Sequence, residues 1–325
     1  MKSHLIIGAR GSPLSLAQTE TVVRALKKHH PGLTVSVKPI RTGGDDLSTR
    51  SQSLGLKGLF VQEIEKALLK GEIDLAVHSA KDLPQDLPPG LALGPVPLRG
   101  PVHDSLVSVR GLKLKELPLG ARVGTSSLRR QTLLLAARPD LAVVPIRGNL
   151  DTRLAQLTCG RLEATVLAAA GLNRLGRSDW PQIPLPPESF LPAPGQGSLA
   201  LEYREGDRET LDLISPLNHH QSAVSLALER GVTFELGAGC HTPAAAWAKL
   251  EGQRWHLRAM VALPQGQHIL RAEAYLDVDE LNAARELGRN LAQTLLAQGG
   301  AEILAQLDNN QGPEPEEIKA GHERP

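Results

Sequence analysis

The N-terminal part of the chain alternates between short apolar runs and stretches whose apolar positions recur at helical spacing. Residues 4–8 (HLIIG) are typical of a buried strand. Ser12 and Pro13 then mark a helix start, because serine caps helices and proline fits the first helical turn. The same order continues through a strand at 33–37, a helix around 60–68 and a strand at 73–77. This order predicts a βαβ unit.

The same alternation returns after residue 98 and predicts a second α/β lobe. Its expected elements are a strand ending at Gly124, a helix opening at Thr125 or Ser126, a strand at 143–146, a short helix after Asn149 and a strand at 165–169. A Pro/Gly-rich crossing at 191–197 then leads to a strand at 198–203, which would return the chain to the first lobe. We therefore expect one lobe from residues 1–98 and 198–216, and another from 99–197.

The pattern changes after residue 217 and predicts a smaller α+β unit over 217–308. A helix to about Arg230 comes first, and a helix from about 280 to 297 lies near the end. Three apolar segments between them, at 244–250, 254–263 and 268–276, are separated by turn residues and predict a three-stranded antiparallel sheet. The tail at 309–325 is poor in apolar residues and is expected to be disordered.

The composition of the chain argues against several classes of protein. The chain has 325 residues, a formal net charge of +1 and 41% hydrophobic residues, so neither bulk disorder nor non-specific nucleic-acid binding is expected. Two cysteines cannot form a disulfide framework, which favours a reducing cytoplasm. The N-terminus lacks the apolar core of a signal peptide, and no apolar run approaches the roughly 20 residues of a membrane span. We expect a cytoplasmic protein with no membrane partner.

Arginines follow the predicted strands where ligands bind in α/β sheets. Two open a helix within GTSSLRR (124–130), near Ser126 and Ser127, where a cation opposes the helix dipole unless an anion is bound. The six positions are Arg10, Arg129, Arg130, Arg147, Arg153 and Arg174. A genome rich in G and C could explain a high arginine count, and a single arginine could be an ordinary surface residue, but six equivalent placements favour an anion-binding cleft.

The segment HSAKDLP (78–84) follows a predicted strand and would face the same cleft. Asp82, among several cations, is expected to have a depressed pKa and to stabilise positive charge or accept a ring N–H. For His78, a structural hydrogen-bonding role is the more common one. Lys57 and Asp45 could also line the cleft.

Cys240 lies in the Gly-rich segment ELGAGCHTP of the third unit. Its spacing fits a small buried side chain as well as it fits a nucleophile or a covalent anchor. Cys159 lacks such a setting. The remaining histidines have no further ligands at useful spacing, so no metal is assigned.

Taken in order along the chain, these segments resemble the porphobilinogen deaminase family, also called hydroxymethylbilane synthases. The matching motifs run from ARGSPL (9–14) to GAGC (237–240) and include TGGD, KGLF, HSAKDLP, GTSSLRR, RGNLDTR, AAAGLNRLG and PGQG. The resemblance implies an α/β fold of two lobes, like those of periplasmic binding proteins, around a cleft, with a small C-terminal α+β domain. Leu56 and Ala238 stand where the family often has glycine.

The resemblance also implies an activity and a cofactor. Four porphobilinogen molecules would be joined head to tail, with loss of ammonia, on a dipyrromethane held by a thioether, and hydrolysis would release hydroxymethylbilane. Cys240 would anchor the dipyrromethane and Asp82 would contact pyrrole nitrogens. The residues expected to bind carboxylates are Arg10, Ser12, Lys57, Lys81, Ser127, Arg129, Arg130, Arg147, Arg153 and Arg174. Further cleft candidates are Asp45, Phe60, His78, Thr125 and Gln196.

Two other functions remain open from the residues alone. A non-catalytic two-lobed anion-binding protein would also have an arginine-lined cleft, although it leaves the unit that carries Cys240 without a role. A transferase or hydrolase with Cys240 as nucleophile would need His241 or His78 as base, and no orienting acid is evident. The expected partner is porphobilinogen, without nucleic acid, and the expected state is a monomer.

Overall fold

A computed structural model describes residues 2–40, 56–239 and 242–309. The strands are β1 (His4–Arg10), β2 (Thr34–Ile40), β3 (Leu75–Ser79), β4 (Leu91–Leu93), β5 (Asp104–Val107), β6 (Arg122–Gly124), β7 (Ala142–Val144), β8 (Ala164–Ala168), β9 (Gln182–Leu185), β10 (Leu199–Arg204), β11 (Ala244–Glu251), β12 (Arg254–Ala262) and β13 (Ile269–Leu276). The helices are α1 (Pro13–His29), α2 (Leu56–Leu69), α3 (Leu128–Ala137), α4 (Leu150–Thr158), α5 (Ala169–Arg174), α6 (Arg208–Ile214), α7 (His220–Glu235), α8 (Leu281–Leu295) and α9 (Ala301–Asn309).

Side-chain caps fix where the helices that border the cleft begin. Ser12 accepts the Ser15 N–H at the start of α1, and Asn149 accepts the Thr152 N–H at the start of α4. Ser127 caps α3, so this helix begins at Leu128, slightly later than the sequence predicts. Thr125 instead accepts the Ser127 N–H through its hydroxyl oxygen, which shapes the turn before the cap.

Two five-stranded sheets share one topology. The strand orders are β2-β1-β3-β10-β4 and β7-β6-β8-β5-β9. In each sheet the first three strands are parallel, and the fourth runs antiparallel to both of its neighbours. The carboxyl ends of the parallel strands therefore lie at one edge of each sheet, where α/β proteins place their ligands.

Each lobe takes its antiparallel strand from a crossing of the chain. β5 follows a first crossing at residues 94–103. β10 follows the second crossing, at 191–197, and returns to β3 and β4, as the sequence predicts for residues 198–203. The two crossings touch where the Gly100 N–H donates to the Gly197 carbonyl at 3.1 Å. Gly197 has φ +89°, and a Cβ there would lie 2.5 Å from the Gly100 oxygen, so this contact requires glycine.

The third unit pairs α7 and α8 against the antiparallel sheet β11-β12-β13. The helices approach so closely that a Cβ on Gly288 would lie 2.1 Å from the Leu228 carbonyl oxygen. The opposite face of the sheet packs on the second lobe, where Trp247 and Met260 join a buried cluster with Leu133. The unit following residue 217 is therefore fixed to the lobe that carries α3.

The predicted fold class is confirmed: two α/β sheets accompany a small three-stranded antiparallel unit. The elements β4, β5, β9, α5 and α6, each of seven residues or fewer, were not predicted. Helix α7 runs to Glu235 rather than about Arg230. Residues 310–325 lie outside the described chain, and the domain boundaries stay predictions. Within the described ranges, no helix has the length and apolar character of a membrane span.

Candidate active site

The opening turn of α3 holds two arginines around one buried carboxylate. Arg129 donates to Asp104 Oδ2 at 2.8 Å, and Arg130 donates to Asp104 Oδ1 at 2.6 Å and 3.1 Å. Asp104 is fully buried in β5, and the two arginines are 4% and 7% exposed. Each guanidinium also donates to a backbone carbonyl, of Leu191 and Val166 respectively. These hydrogen bonds hold both guanidinium groups in fixed orientations.

Charge balance in this cluster is reflected in the pKa values. Burial alone would raise the pKa of Asp104, but the charges of Arg129 and Arg130 outweigh burial and hold that pKa below its ordinary value. Burial lowers the pKa of Arg129, and the charge of Asp104 opposes the change. The cluster carries two positive charges and one negative, so it retains a net positive charge beside the helix N-terminus.

Gln196 connects this cluster to the turn that carries Asp82. It is fully buried, and its amide nitrogen donates to Asp104 Oδ1 at 3.1 Å and to the Val102 carbonyl at 2.7 Å. Its amide oxygen accepts from Lys81 Nζ at 3.3 Å. Lys81 and Asp82 form a single 3-10 turn directly after β3. The crossing segment therefore joins the strand ends of both lobes.

Arg153 brings a further cation to Asp82. Burial lowers the pKa of Arg153, the charge of Arg130 lowers it further, and the charge of Asp82 raises it. The charge of Asp82, from the first lobe, therefore acts on Arg153, from α4 of the second lobe. Arg153 also donates to the Gly148 carbonyl at 3.0 Å.

Arg10, Ser12 and Arg174 lie near the contact between the lobes. Arg10 is the last residue of β1, and Ser12 is the cap described above. Arg174 ends α5, donates to the Gly197 carbonyl at 2.7 Å, and has a pKa lowered by burial. A Cβ on Gly171 of α5 would touch Leu14 of α1, which shows that these two helices are neighbours.

The structure does not bring every predicted residue into this group. Arg147 is exposed in the turn before α4, and Ser127 serves as the cap of α3. Thr125 is buried within its turn. Asp45 and Cys240 lie outside the described residues, as do the side chains of Lys57 and Phe60 within α2. Their roles stay predictions.

Sequence reasoning missed Asp104 and used Gln196 only as a minor candidate. A carboxylate at the head of the short strand DSLV was the available signal, because a buried acid requires a cationic partner. His78 is 7% exposed, and its Nε2 lies 3.0 Å from Glu202 Oε2, so it makes the hydrogen bond expected of a structural histidine; its place among the cleft candidates stays a prediction.

Glu65 completes a buried group with His78 and Glu202. Burial and the neighbouring charge of Glu202 raise the pKa of Glu65 to about 7, while His78 opposes the change. Because the folded protein holds this proton more tightly than the unfolded chain, stability should fall as the pH rises from about 4.5 to about 7. Glu65→Gln should therefore stabilise the protein by roughly 1 to 2 kcal/mol at pH 8 and have little effect at pH 4.5.

Urea unfolding at both pH values measures this difference. Glu63→Gln, on the exposed face of the same helix, is the matched control and should show no comparable gain at pH 8. If Glu65→Gln raised the free energy of unfolding equally at both pH values, the raised pKa of Glu65 would be contradicted.

Comparison with known proteins decides the family. The sequence model of the porphobilinogen deaminase dipyromethane cofactor binding domain matches residues 5–212, and that of the C-terminal domain of porphobilinogen deaminase matches 223–297. The chain belongs to the porphobilinogen deaminase family. The family predicted from the sequence is thereby confirmed, and so is the presence of a dipyrromethane-binding domain.

Curated relatives support the same assignment over almost the whole chain. Porphobilinogen deaminase from Roseiflexus sp. (strain RS-1) is 46% identical over 94% of this chain and 100% of its own length. The protein of that name from Xanthomonas axonopodis pv. citri is 45% identical over 93% and 99%. Among solved structures, a probable amino-acid ABC transporter extracellular-binding protein from Bacillus subtilis aligns over 67% of this chain and 90% of its own, with 12% identity and a TM-score of 0.41.

Proposed function

We propose that this chain is a transferase of tetrapyrrole synthesis that joins porphobilinogen molecules into hydroxymethylbilane and releases ammonia. The observation that carries the proposal is the cluster in which buried Arg129 and Arg130 and half-buried Lys81 surround Asp104 and Gln196. The charges of Arg130 and Asp82 both act on Arg153 beside this cluster. This group lies in a chain that is 46% identical to a porphobilinogen deaminase.

The charges of this group suit a substrate that carries carboxylates. Its four cations, Lys81, Arg129, Arg130 and Arg153, exceed its two carboxylates, so two positive charges remain for an anionic ligand. Each porphobilinogen brings an acetate and a propionate. Guanidinium groups already desolvated and oriented lose little further freedom when they bind such groups.

The same donor set fits the dipyrromethane, which carries four carboxylates. Cys240 would hold it through a thioether, and Arg129, Arg130 and Lys81 would bind its side chains. When bound, the dipyrromethane supplies a nucleophilic pyrrole carbon on a permanent tether. Covalent attachment keeps the reacting end at a high effective concentration between additions.

Asp82 is the residue we assign to the chemistry of the substrate. Its carboxylate would accept the pyrrole N–H and stabilise the positive charge that develops as ammonia leaves. The charge of Asp82 raises the pKa of Arg153, so the two groups interact favourably as anion and cation. Arg10, Ser12 and Arg174, at the contact between the lobes, would bind further carboxylates, and Arg147 could reach them from the turn before α4.

The expected substrate partner is porphobilinogen itself, while the monomeric state and cytoplasmic location stay predictions from the sequence. The proposal is tested by incubating the purified protein with porphobilinogen and measuring ammonia and hydroxymethylbilane together. We expect both products in a ratio of four to one. Binding of porphobilinogen without ammonia release would favour the non-catalytic anion-binding protein instead.

A further inference from the structure

The loop that follows Asp82 is bonded to the end of α7, close to Cys240 in sequence. Gln85 lies three residues after Asp82, a distance that a chain spans with at most about 11 Å. Its side-chain amide donates to the backbone carbonyls of Thr233 and Ala238, the latter at 3.2 Å. An amide has two N–H donors, so both of them are used on the third unit.

The two accepting carbonyls belong to a defined helix end. Gly237 adopts φ +57°, its N–H donates to the Phe234 carbonyl, and the Ala238 N–H donates to the Thr233 carbonyl. This is the Schellman arrangement, in which a left-handed residue closes the helix. Gln85 thus bonds to both residues of the outer Schellman hydrogen bond, and fixes the position of the whole helix end relative to the first lobe.

Arg230 strengthens the same junction from the opposite direction. Its guanidinium donates to the carbonyls of Pro84 at 2.9 Å and Gln85 at 2.8 Å. Burial lowers the pKa of Arg230, so these two carbonyls partly replace the water that the guanidinium has lost. We call Gln85 and Arg230 the loop clamp.

Hydrogen bonds also hold the chain on both sides of positions 240 and 241. The Thr242 N–H donates to the Gly239 carbonyl, and the Gly239 N–H donates to Thr242 Oγ1, both at 3.3 Å. Thr242 and Pro243 then lead directly into β11, and the Pro243 carbonyl accepts the Ala262 N–H. The residues on either side of positions 240 and 241 are therefore hydrogen-bonded to defined elements, and the loop clamp connects the preceding segment to the first lobe.

We infer that Gln85 is a positioning residue, which with Arg230 sets the place of residues 236–239, directly before Cys240 in the sequence, relative to Asp82. This inference rests on the proposed function, because in that reaction the distance between Asp82 and the tethered cofactor affects the rate. Gln85 itself touches no reacting atom in this assignment. It acts by holding the segment that leads to Cys240 at a fixed position relative to the turn that carries Asp82.

The test compares Gln85→Met with wild type in the full-length, cofactor-loaded protein. Methionine keeps the side-chain volume but lacks both N–H donors. We expect kcat to fall by about tenfold, because misplacement of a tethered reactant lowers the effective concentration of its reacting end. KM should stay within about twofold, because the carboxylate-binding arginines are unchanged. Hydrogen exchange of a peptide covering 233–239 should become about tenfold faster.

Two further variants separate positioning from a general loss of packing. Gln85→Glu keeps the shape of glutamine but directs oxygen atoms at two carbonyl oxygens, so it should lower kcat at least as much as methionine does. Gln182→Met removes a comparable glutamine hydrogen bond, to the Arg177 carbonyl in the second lobe, and should alter neither kcat nor exchange at 233–239.

The outcomes distinguish the two proposals. If wild type carries a cofactor on Cys240 but Gln85→Met matches Gln182→Met in kcat and in exchange, the positioning role is wrong and the proposed function stands. If wild type carries no cofactor, the proposed anchor is wrong, and the exchange rates alone decide whether Gln85 orders the loop. Unchanged exchange at 233–239 overturns the inference in either case.

Discussion

Asp82→Asn should yield a folded protein that carries the dipyrromethane but turns over porphobilinogen at least about a hundredfold more slowly than wild type. Asparagine keeps the shape of the side chain but loses the negative charge that would stabilise the positive charge developing on the pyrrole ring as ammonia leaves. Removal of one preorganised electrostatic partner commonly costs two to three orders of magnitude in kcat. Because Asp82 lies in a short 3-10 turn and is only partly buried, we expect the free energy of unfolding to change by less than about 1 kcal/mol.

Asp86→Asn is the matched control, since Asp86 is an exposed aspartate of the same loop. The measurement is the steady-state rate of ammonia release, together with intact mass to verify that each variant is loaded. If Asp82→Asn retained a rate within a few fold of Asp86→Asn, Asp82 would lose its assigned role.

The second large effect is expected at Asp104, which sequence reasoning did not single out. Asp104→Asn should lower the free energy of unfolding by about 3 to 5 kcal/mol, because it leaves Arg129 and Arg130 buried together without their counter-charge. The same loss should free both guanidinium groups from their fixed orientations, so KM for porphobilinogen should rise in any variant protein that folds.

Asp140→Asn provides the contrast, because Asp140 pairs with Arg138 near the surface at 2.6 Å, with side-chain exposures of 25% and 20%. Its removal should cost less than about 1 kcal/mol. Urea unfolding at neutral pH measures both losses. Equal losses of unfolding free energy in Asp104→Asn and Asp140→Asn would show that Asp104 does not neutralise the buried arginines Arg129 and Arg130.

Acidification should remove the contribution of Asp104. Its pKa is lowered by folding, so its stabilising effect is complete above the unfolded-state value of about 3.9 and is lost as the pH falls below that value. The difference in stability between wild type and Asp104→Asn should therefore narrow only below about pH 4.

Local signals in the sequence predicted the parts of the fold that local chemistry determines. Ser12 followed by Pro13 marks the start of α1, and Gly71 follows the end of α2, because caps and turn residues act within a few positions. Arginines that follow the predicted parallel strands were expected to lie together at the carboxyl edge of each sheet. The charge of Asp82 acts on Arg153, and the assignment of both residues to the substrate site stays a prediction.

Contacts between distant segments could not be predicted in the same way. The pair Arg129 and Arg130 was interpreted as awaiting an anion, whereas Asp104 of the short strand β5 neutralises part of their charge. Gln85 gave no signal in a Pro-rich loop, because its partners lie 148 and 153 residues further along the chain. Such contacts depend on how the three units pack, and a period in the sequence does not encode that packing.

Intact mass of the purified protein tests the central claim most directly. We expect the mass of wild type to exceed its sequence mass by two deaminated porphobilinogen units. Cys240→Ser should have the sequence mass, whereas Cys159→Ser, a change at the other, exposed cysteine, should keep the increment. A wild-type protein at its sequence mass, or an increment that persists in Cys240→Ser, would contradict the claim.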